Sequence, residues 1–201
     1  MKIKRGETDV KINVSFAACV TCMLILDESG VCALALFCCF VHEAAHLICM
    51  LASGEKPALV ELSFYGIKLE RRPVGSKNDI LIYAAGPAAN LLLWVILSVG
   101  FSHIQSVRIA AASNFAIGVF NLIPCRPLDG GNILFESLCR FMSDEKADRI
   151  CDIAVYAFLA PLSVLSVYFA MVYGNVTLGG AVIYLAVVSF FDKREKGMVK
   201  L

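Results

Sequence analysis

Long apolar runs separated by short polar intervals dominate the chain and define its elements. Such runs extend from about Ile12 to Leu26, Val31 to Ala52, Ile80 to Gly100, Val107 to Ile123, Ile153 to Val172 and Val176 to Phe191. A helix needs roughly 20 apolar residues to cross a bilayer, so these runs predict six membrane-spanning helices. The first, about 15 residues long, reads as a tilted span or one in a locally thinned bilayer. Between the second and third runs the period changes from helical to two. Leu59, Glu61 and Ser63 alternate there with Val60, Leu62 and Phe64, and Tyr65-Gly66 gives a turn signal before Ile67-Lys68-Leu69-Glu70. That pattern predicts a short membrane-associated β-hairpin. Pro124, Pro127, Gly130 and Gly131 mark a polar, Pro- and Gly-rich interval that reaches about Ile150, and Tyr173-Gly174-Asn175 marks a tight turn between the last two runs. The expected fold class is therefore an all-α polytopic membrane protein with about six transmembrane helices and a hairpin between helices 2 and 3. It reads as a single domain over residues 1–201, with a core over about 31–140 and accessory helices over 12–26, 153–172 and 176–191.

Composition strengthens that picture. The chain is 59% hydrophobic, with 17% charged residues and a mean hydropathy of +0.74, against about 25% charged residues in ordinary soluble domains. The net charge of +1 excludes little by itself, but no Lys/Arg cluster interleaves with aromatics as a nucleic-acid surface would require. The placement of the basic residues is more informative. With both termini in the cytoplasm, 17 of the 18 fall on the inner side and only Arg108 on the outer, as the positive-inside rule demands. A cleaved leader ending near Cys19 is the rival reading of the N-terminus. It fails because the apolar stretch follows that cysteine and because Glu7 and Asp9 lie in the supposed basic region. The nine cysteines are scattered through apolar runs or near basic loops and read as reduced packing residues, the Cys19-Val20-Thr21-Cys22 pair included.

Against this apolar background, Phe40 to Met50 holds two of the three histidines, His42 and His46, together with Glu43. His42-Glu43-Ala44-Ala45-His46 is an H-E-x-x-H sequence. On a helix, residues four apart share a face, so both imidazoles reach one metal while Glu43 comes close enough to act on water there. The rival reading is that the three are polar residues packed between helices and bonded to one another. Inside a spanning helix they cost several kcal/mol unless paired or bound to a metal, which weakens that rival. Zinc suits two imidazoles and a carboxylate and lowers the pKa of a bound water to about 7. A third ligand is offered by Asp129, which Pro124 and Pro127 leave on irregular backbone before Gly130-Gly131. The predicted topology puts Asp129 and the inner half of the second span on the same side of the membrane. His103, in a short outer loop, reads as a solvated residue, and Phe190-Phe191 as an interfacial anchor.

H-E-x-x-H in one span, followed after a later span by Asn121-Leu122-Ile123-Pro124-Cys125-Arg126-Pro127-Leu128-Asp129-Gly130-Gly131, resembles the site-2 protease family of intramembrane zinc metalloproteases. The hairpin and the segment Ala84 to Asn90 resemble the family's elements between its two ligand-bearing helices, and the likeness covers about residues 10–140. The resemblance implies that His42, His46 and Asp129 bind Zn2+, that Glu43 is the general base, and that Asn121 and Pro124 shape the substrate-binding region. It implies close helix contact at Gly86 and Asn90, with simple packing as the alternative for Gly86-Pro87. It also implies that the hairpin edge near Phe64-Tyr65-Gly66 pairs with an unwound substrate, a mode in which main-chain hydrogen bonds supply affinity.

The compact plan is similar to the subgroup of the stage IV sporulation protease, whose substrate is a membrane-tethered transcription-factor precursor. The stretch from Asp192 to Leu201 leaves no room for that subgroup's CBS domain, so nucleotide control is not expected. The implied partners are a membrane-protein substrate and the lipid bilayer, with a regulatory membrane protein or a second copy of the chain left open. The implied location is a bacterial cytoplasmic membrane, with the active site toward the cytoplasmic leaflet. Two rivals remain: an inactive zinc-binding partner protein, which would usually have lost Glu43 or a ligand, and a metal transporter, which would spread ionisable residues over more spans.

Overall fold

The computed structural model describes residues 2–5, 8–12, 14–55, 57–63, 66–71, 78–101, 103–126 and 128–199. The chain divides into two compact units, Met1–Val119 and Phe120–Leu201.

The first unit begins with strands β1 (Lys2–Arg5) and β2 (Thr8–Ile12) and then helices α1 (Val14–Leu26) and α2 (Val31–Ala52). Strands β3 (Pro57–Ser63) and β4 (Gly66–Arg71) follow, then helix α3 (Asp79–Gly100) and helix α4 (Gln105–Asn121), whose last two residues fall in the second unit. Strands β3 and β4 pair antiparallel from Ser63 opposite Gly66 to Pro57 opposite Arg71, with a register shift between Pro57 and Leu59. Phe64 and Tyr65, where the turn was expected, lie outside the described residues. The sheet order is β1-β2-β3-β4, and β2 runs parallel to β3 with Val10 opposite Val60 and Ile12 opposite Leu62. Residues 2–5 and 8–12, which lie ahead of or at the start of the first apolar run, thus join the sheet. Each of their strands is short, and the partner of β2 lies far along the chain, where a local pattern cannot reveal it.

Helix α2 starts after a turn at Asp27-Glu28-Ser29-Gly30, where Gly30 has φ 72°. The Asp27 carboxylate accepts the backbone N–H of Cys32 at 2.6 Å and that of Ser29 at 3.0 Å. It therefore satisfies a donor that the first turn of α2 leaves without a partner inside the helix. The Ser29 hydroxyl and these N–H groups hold the Asp27 carboxyl below its usual range. On α2 the buried residues are Cys38, His42, His46 and Met50, and on α3 they include Asp79, Ile82, Gly86, Pro87 and Asn90. Spacings of three and four put each set on one helical face, and these faces carry the α2–α3 contact. The outer faces are the reverse of a soluble protein's: Phe37, Phe40, Ile48, Leu81, Leu92 and Val99 are all exposed. Contiguous apolar surface of that extent calls for an apolar solvent.

The second unit contains α5 (Asp129–Cys139), α6 (Asp144–Tyr173) and α7 (Thr177–Val199). Its core is Cys125, Leu128, Val155 and Leu185, with Phe120, Ile123 and Leu159 packed against it. Gly174, with φ 65°, ends α6 in the expected Tyr-Gly-Asn turn. The polar interval up to Ile150 holds α5 and the first turns of α6. One expectation needs correction here. Asp129 is the first residue of α5 rather than part of the irregular backbone, which ends at the extended Leu128. An acidic residue suits a helix N-terminus, because the unpaired N–H groups there carry partial positive charge. The glycines that read as a loop signal are needed for packing. A Cβ on Gly130 would lie 2.7 Å from the Ile123 carbonyl oxygen, and one on Gly131 would lie 2.5 Å from the Arg126 nitrogen.

Among the described residues, α2, α3 and α6 are long and apolar enough to cross a membrane, and the apolar part of α7, Thr177–Phe190, is shorter. Helices α1 and α4, at 13 and 17 residues, coincide with expected spans but are shorter than the usual crossing length.

Candidate metal centre

Helix α2 presents His42 and His46 one turn apart, 4% and 6% exposed, with Glu43 half-buried beside them. The rings stand edge to face at 83°, and their Nε2 atoms approach to 3.2 Å. The opposite ring nitrogens are held by acceptors. His42 Nδ1 is 2.5 Å from the Asn90 side-chain oxygen, and His46 Nδ1 is 2.7 Å from the Ile82 carbonyl oxygen. A carbonyl oxygen only accepts, so each Nδ1 carries a proton, and a ring with no second proton turns its Nε2 lone pair toward the other ring. Two such lone pairs at that distance repel each other unless a proton or a metal ion lies between them.

Their separation also fits one. Zinc–nitrogen bonds of about 2.0–2.1 Å in a tetrahedron set neighbouring nitrogens about 3.3–3.4 Å apart. The space beside the pair is kept open by Gly86 of α3. A Cβ there would sit 2.7 Å from both His42 Nε2 and His46 Cε1 and press on His46 Nε2 as well. The donor set, its tautomers and this cradle all fit a zinc ion.

The remaining residues expected at the site lie in the second unit: Asn121 ends α4, Pro124 lies in the irregular segment, and Asp129 opens α5, each half-buried. His103 is exposed. Among the described residues no cysteine forms a disulfide. Burial, with the acids Asp144 and Glu136 nearby, pushes the Cys139 thiol up to about 11, so it holds almost no thiolate at neutral pH.

Asn90 does more than permit a close helix contact. Fully buried, it supplies the acceptor that sets the His42 tautomer. The signal for that role was an amide inside an apolar span, four residues after Gly86. The Ile82 carbonyl has no side-chain signal, so the sequence could not reveal it. Outer partners of this kind are typically worth 10–100-fold in metal affinity. Asn90→Ala is expected to weaken zinc binding by about that factor, as measured by chelator competition, while Asn90→Asp, which still accepts from His42, keeps most of it.

Two buried imidazoles facing each other on an H-E-x-x-H helix, among apolar helices, are a donor set that suits a divalent metal ion. The profile of peptidase family M50 matches residues 98–165, the stretch that includes Asn121 to Asp129. A Synechocystis protein named as a zinc metalloprotease is 33% identical over 112 residues, covering 51% of this chain and 30% of its own length. Stage IV sporulation protein FB of Bacillus subtilis is 27% identical over 136 residues, covering 66% of this chain and 43% of its own. The fold is shared with the site-2 protease from Methanocaldococcus jannaschii, at a TM-score of 0.68 and 18% identity over 94% of this chain and 93% of that one. The chain is thus similar to peptidase family M50 over residues 98–165 and shares the fold of a site-2 protease. It spans less than half the length of the two curated relatives.

Proposed function

We propose that the chain is an intramembrane zinc metalloprotease that hydrolyses a peptide bond of a membrane-embedded or membrane-tethered protein. The observation that carries this reading is the convergence of two buried Nε2 atoms on a space that Gly86 keeps clear. His42 and His46 hold the metal, and Asp129, at the start of α5, completes the ligand set with a carboxylate. A zinc ion so held supplies a Lewis acid that polarises the scissile carbonyl and lowers the pKa of water. Glu43, on the same helical turn as His42, takes a proton from the attacking water and delivers it to the leaving amine. Asn121 and Pro124, flanking the irregular segment before Asp129, belong to the substrate-binding region. Among the described residues strand β4 ends the sheet order, and a sheet edge at the hairpin supports pairing with a substrate unwound into a strand.

The finer reading has six spans, both termini in the cytoplasm of a bacterium and an active site toward the cytoplasmic leaflet. Its substrate class includes transcription-factor precursors, and a regulatory membrane protein or a second copy of the chain is compatible with it. The loop charges support this topology. Asp129→Ala tests the third ligand directly. Metal analysis of purified protein is expected to fall well below about one zinc per chain, and an undiminished zinc content would remove Asp129 from the set.

A further inference from the structure

The Asn90 amide orients His42 only if its oxygen, and not its nitrogen, faces the ring. Turned by 180°, Asn90 would offer an N–H to Nδ1, move the imidazole proton to Nε2 and so block the metal. Something must therefore fix the amide. The Asn90 Nδ2 group donates to the Asn114 side-chain oxygen at 2.7 Å and, more weakly, to the Cys38 carbonyl oxygen at 3.4 Å. The Asn114 Nδ2 group in turn donates to the Ala110 carbonyl oxygen at 2.9 Å and to Cys38 Sγ at 3.1 Å. Ala110 offers a backbone carbonyl, which cannot become a donor. The polarity of the whole series is consequently set at that oxygen and passes through two buried amides, 2% and 0% exposed, to the imidazole. Gly118 makes room for it: a Cβ there would lie 3.1 Å from Leu91 and 3.3 Å from the Asn90 Cβ, so α4 comes close enough to α3 for the amides to meet.

We infer that Asn114 is a positioning residue for the metal centre, holding Asn90 in the one orientation that leaves His42 Nε2 free of a proton. The inference rests on the reading of His42 as a zinc ligand. An amide in the middle of an apolar helix is costly unless fully paired, and here its pairing is directional.

The test is a double-mutant cycle on the full chain in detergent, with zinc dissociation constants read by competition with a chromophoric chelator and unfolding of the metal-free protein read alongside. Asn114→Ala is expected to weaken zinc by about 10-fold, at the lower end of outer-partner effects. Asn114→Asp, which keeps the acceptor for Asn90, should lose much less. In an Asn90→Asp background both oxygens accept, so His42 is oriented whichever way that carboxylate turns, and Asn114→Ala should there cost no further zinc affinity. Asn114→Leu, close in volume, replaces Asn114→Ala in the cycle if the alanine variant does not fold. Equal zinc losses in the two backgrounds, or lower unfolding temperatures with unchanged zinc affinity, would overturn the inference. A wild-type chain that binds no zinc would instead overturn the metal reading on which it rests.

Discussion

Glu43→Gln protein is expected to bind zinc like the wild type and to cleave a membrane-tethered peptide about 10²–10⁴-fold more slowly, the usual worth of a positioned general base. The substitution preserves volume and hydrogen-bonding reach but removes the ability to accept a proton. The imidazoles are oriented by Asn90 and Ile82, and the substitution leaves both acceptors in place, so metal content should stand. Single-turnover cleavage and metal analysis of the same preparation check both halves. Full activity in this variant would sink the mechanism, whereas loss of zinc would mean that Glu43 supports the metal rather than the water.

The second large effect is expected at Gly86. In the middle of a helix, Gly→Ala ordinarily stabilises by about 1 kcal/mol, because alanine is the better helix former. Here the added methyl would occupy the space before both Nε2 atoms. Gly86→Ala should therefore lose stoichiometric zinc, and with it activity, while its metal-free helices remain formed by circular dichroism. A Gly86→Ala protein with a full complement of zinc would show that the metal does not sit between the imidazoles.

Helix α2 and its histidine pair were legible in the sequence because every signal there is local: an apolar run of crossing length and two imidazoles four residues apart. The start of α5 was harder to see. Pro124, Pro127 and the glycine pair read as loop chemistry, yet the glycines exist because backbone from Leu122 to Arg126 lies against the first turn of a helix. Strands β1 and β2 were illegible for a different reason: β1 pairs with β2, and β2 takes its other partner, β3, from beyond two intervening helices. The network around His42 lies between these cases. Asn90 and Asn114 stand out as amides in apolar spans, but only the packing of α2, α3 and α4 shows that each answers to the other.

The buried stripe of α2 has a consequence for how the helix sits. Cys38, His42, His46 and Met50 lie on the face toward α3, while Phe37, Phe40 and Ile48 point away. Turning α2 by one residue about its axis, roughly 100°, would carry the imidazoles off the α3 face and bring Phe37, Val41, Ala45 and Cys49 in their place. Polar groups moved into lipid without partners cost several kcal/mol. The histidines thus act as a rotational lock, and replacing both with leucine would free the helix to turn as well as remove the metal. A catalytically silent form with the native helix orientation should instead be made at Glu43.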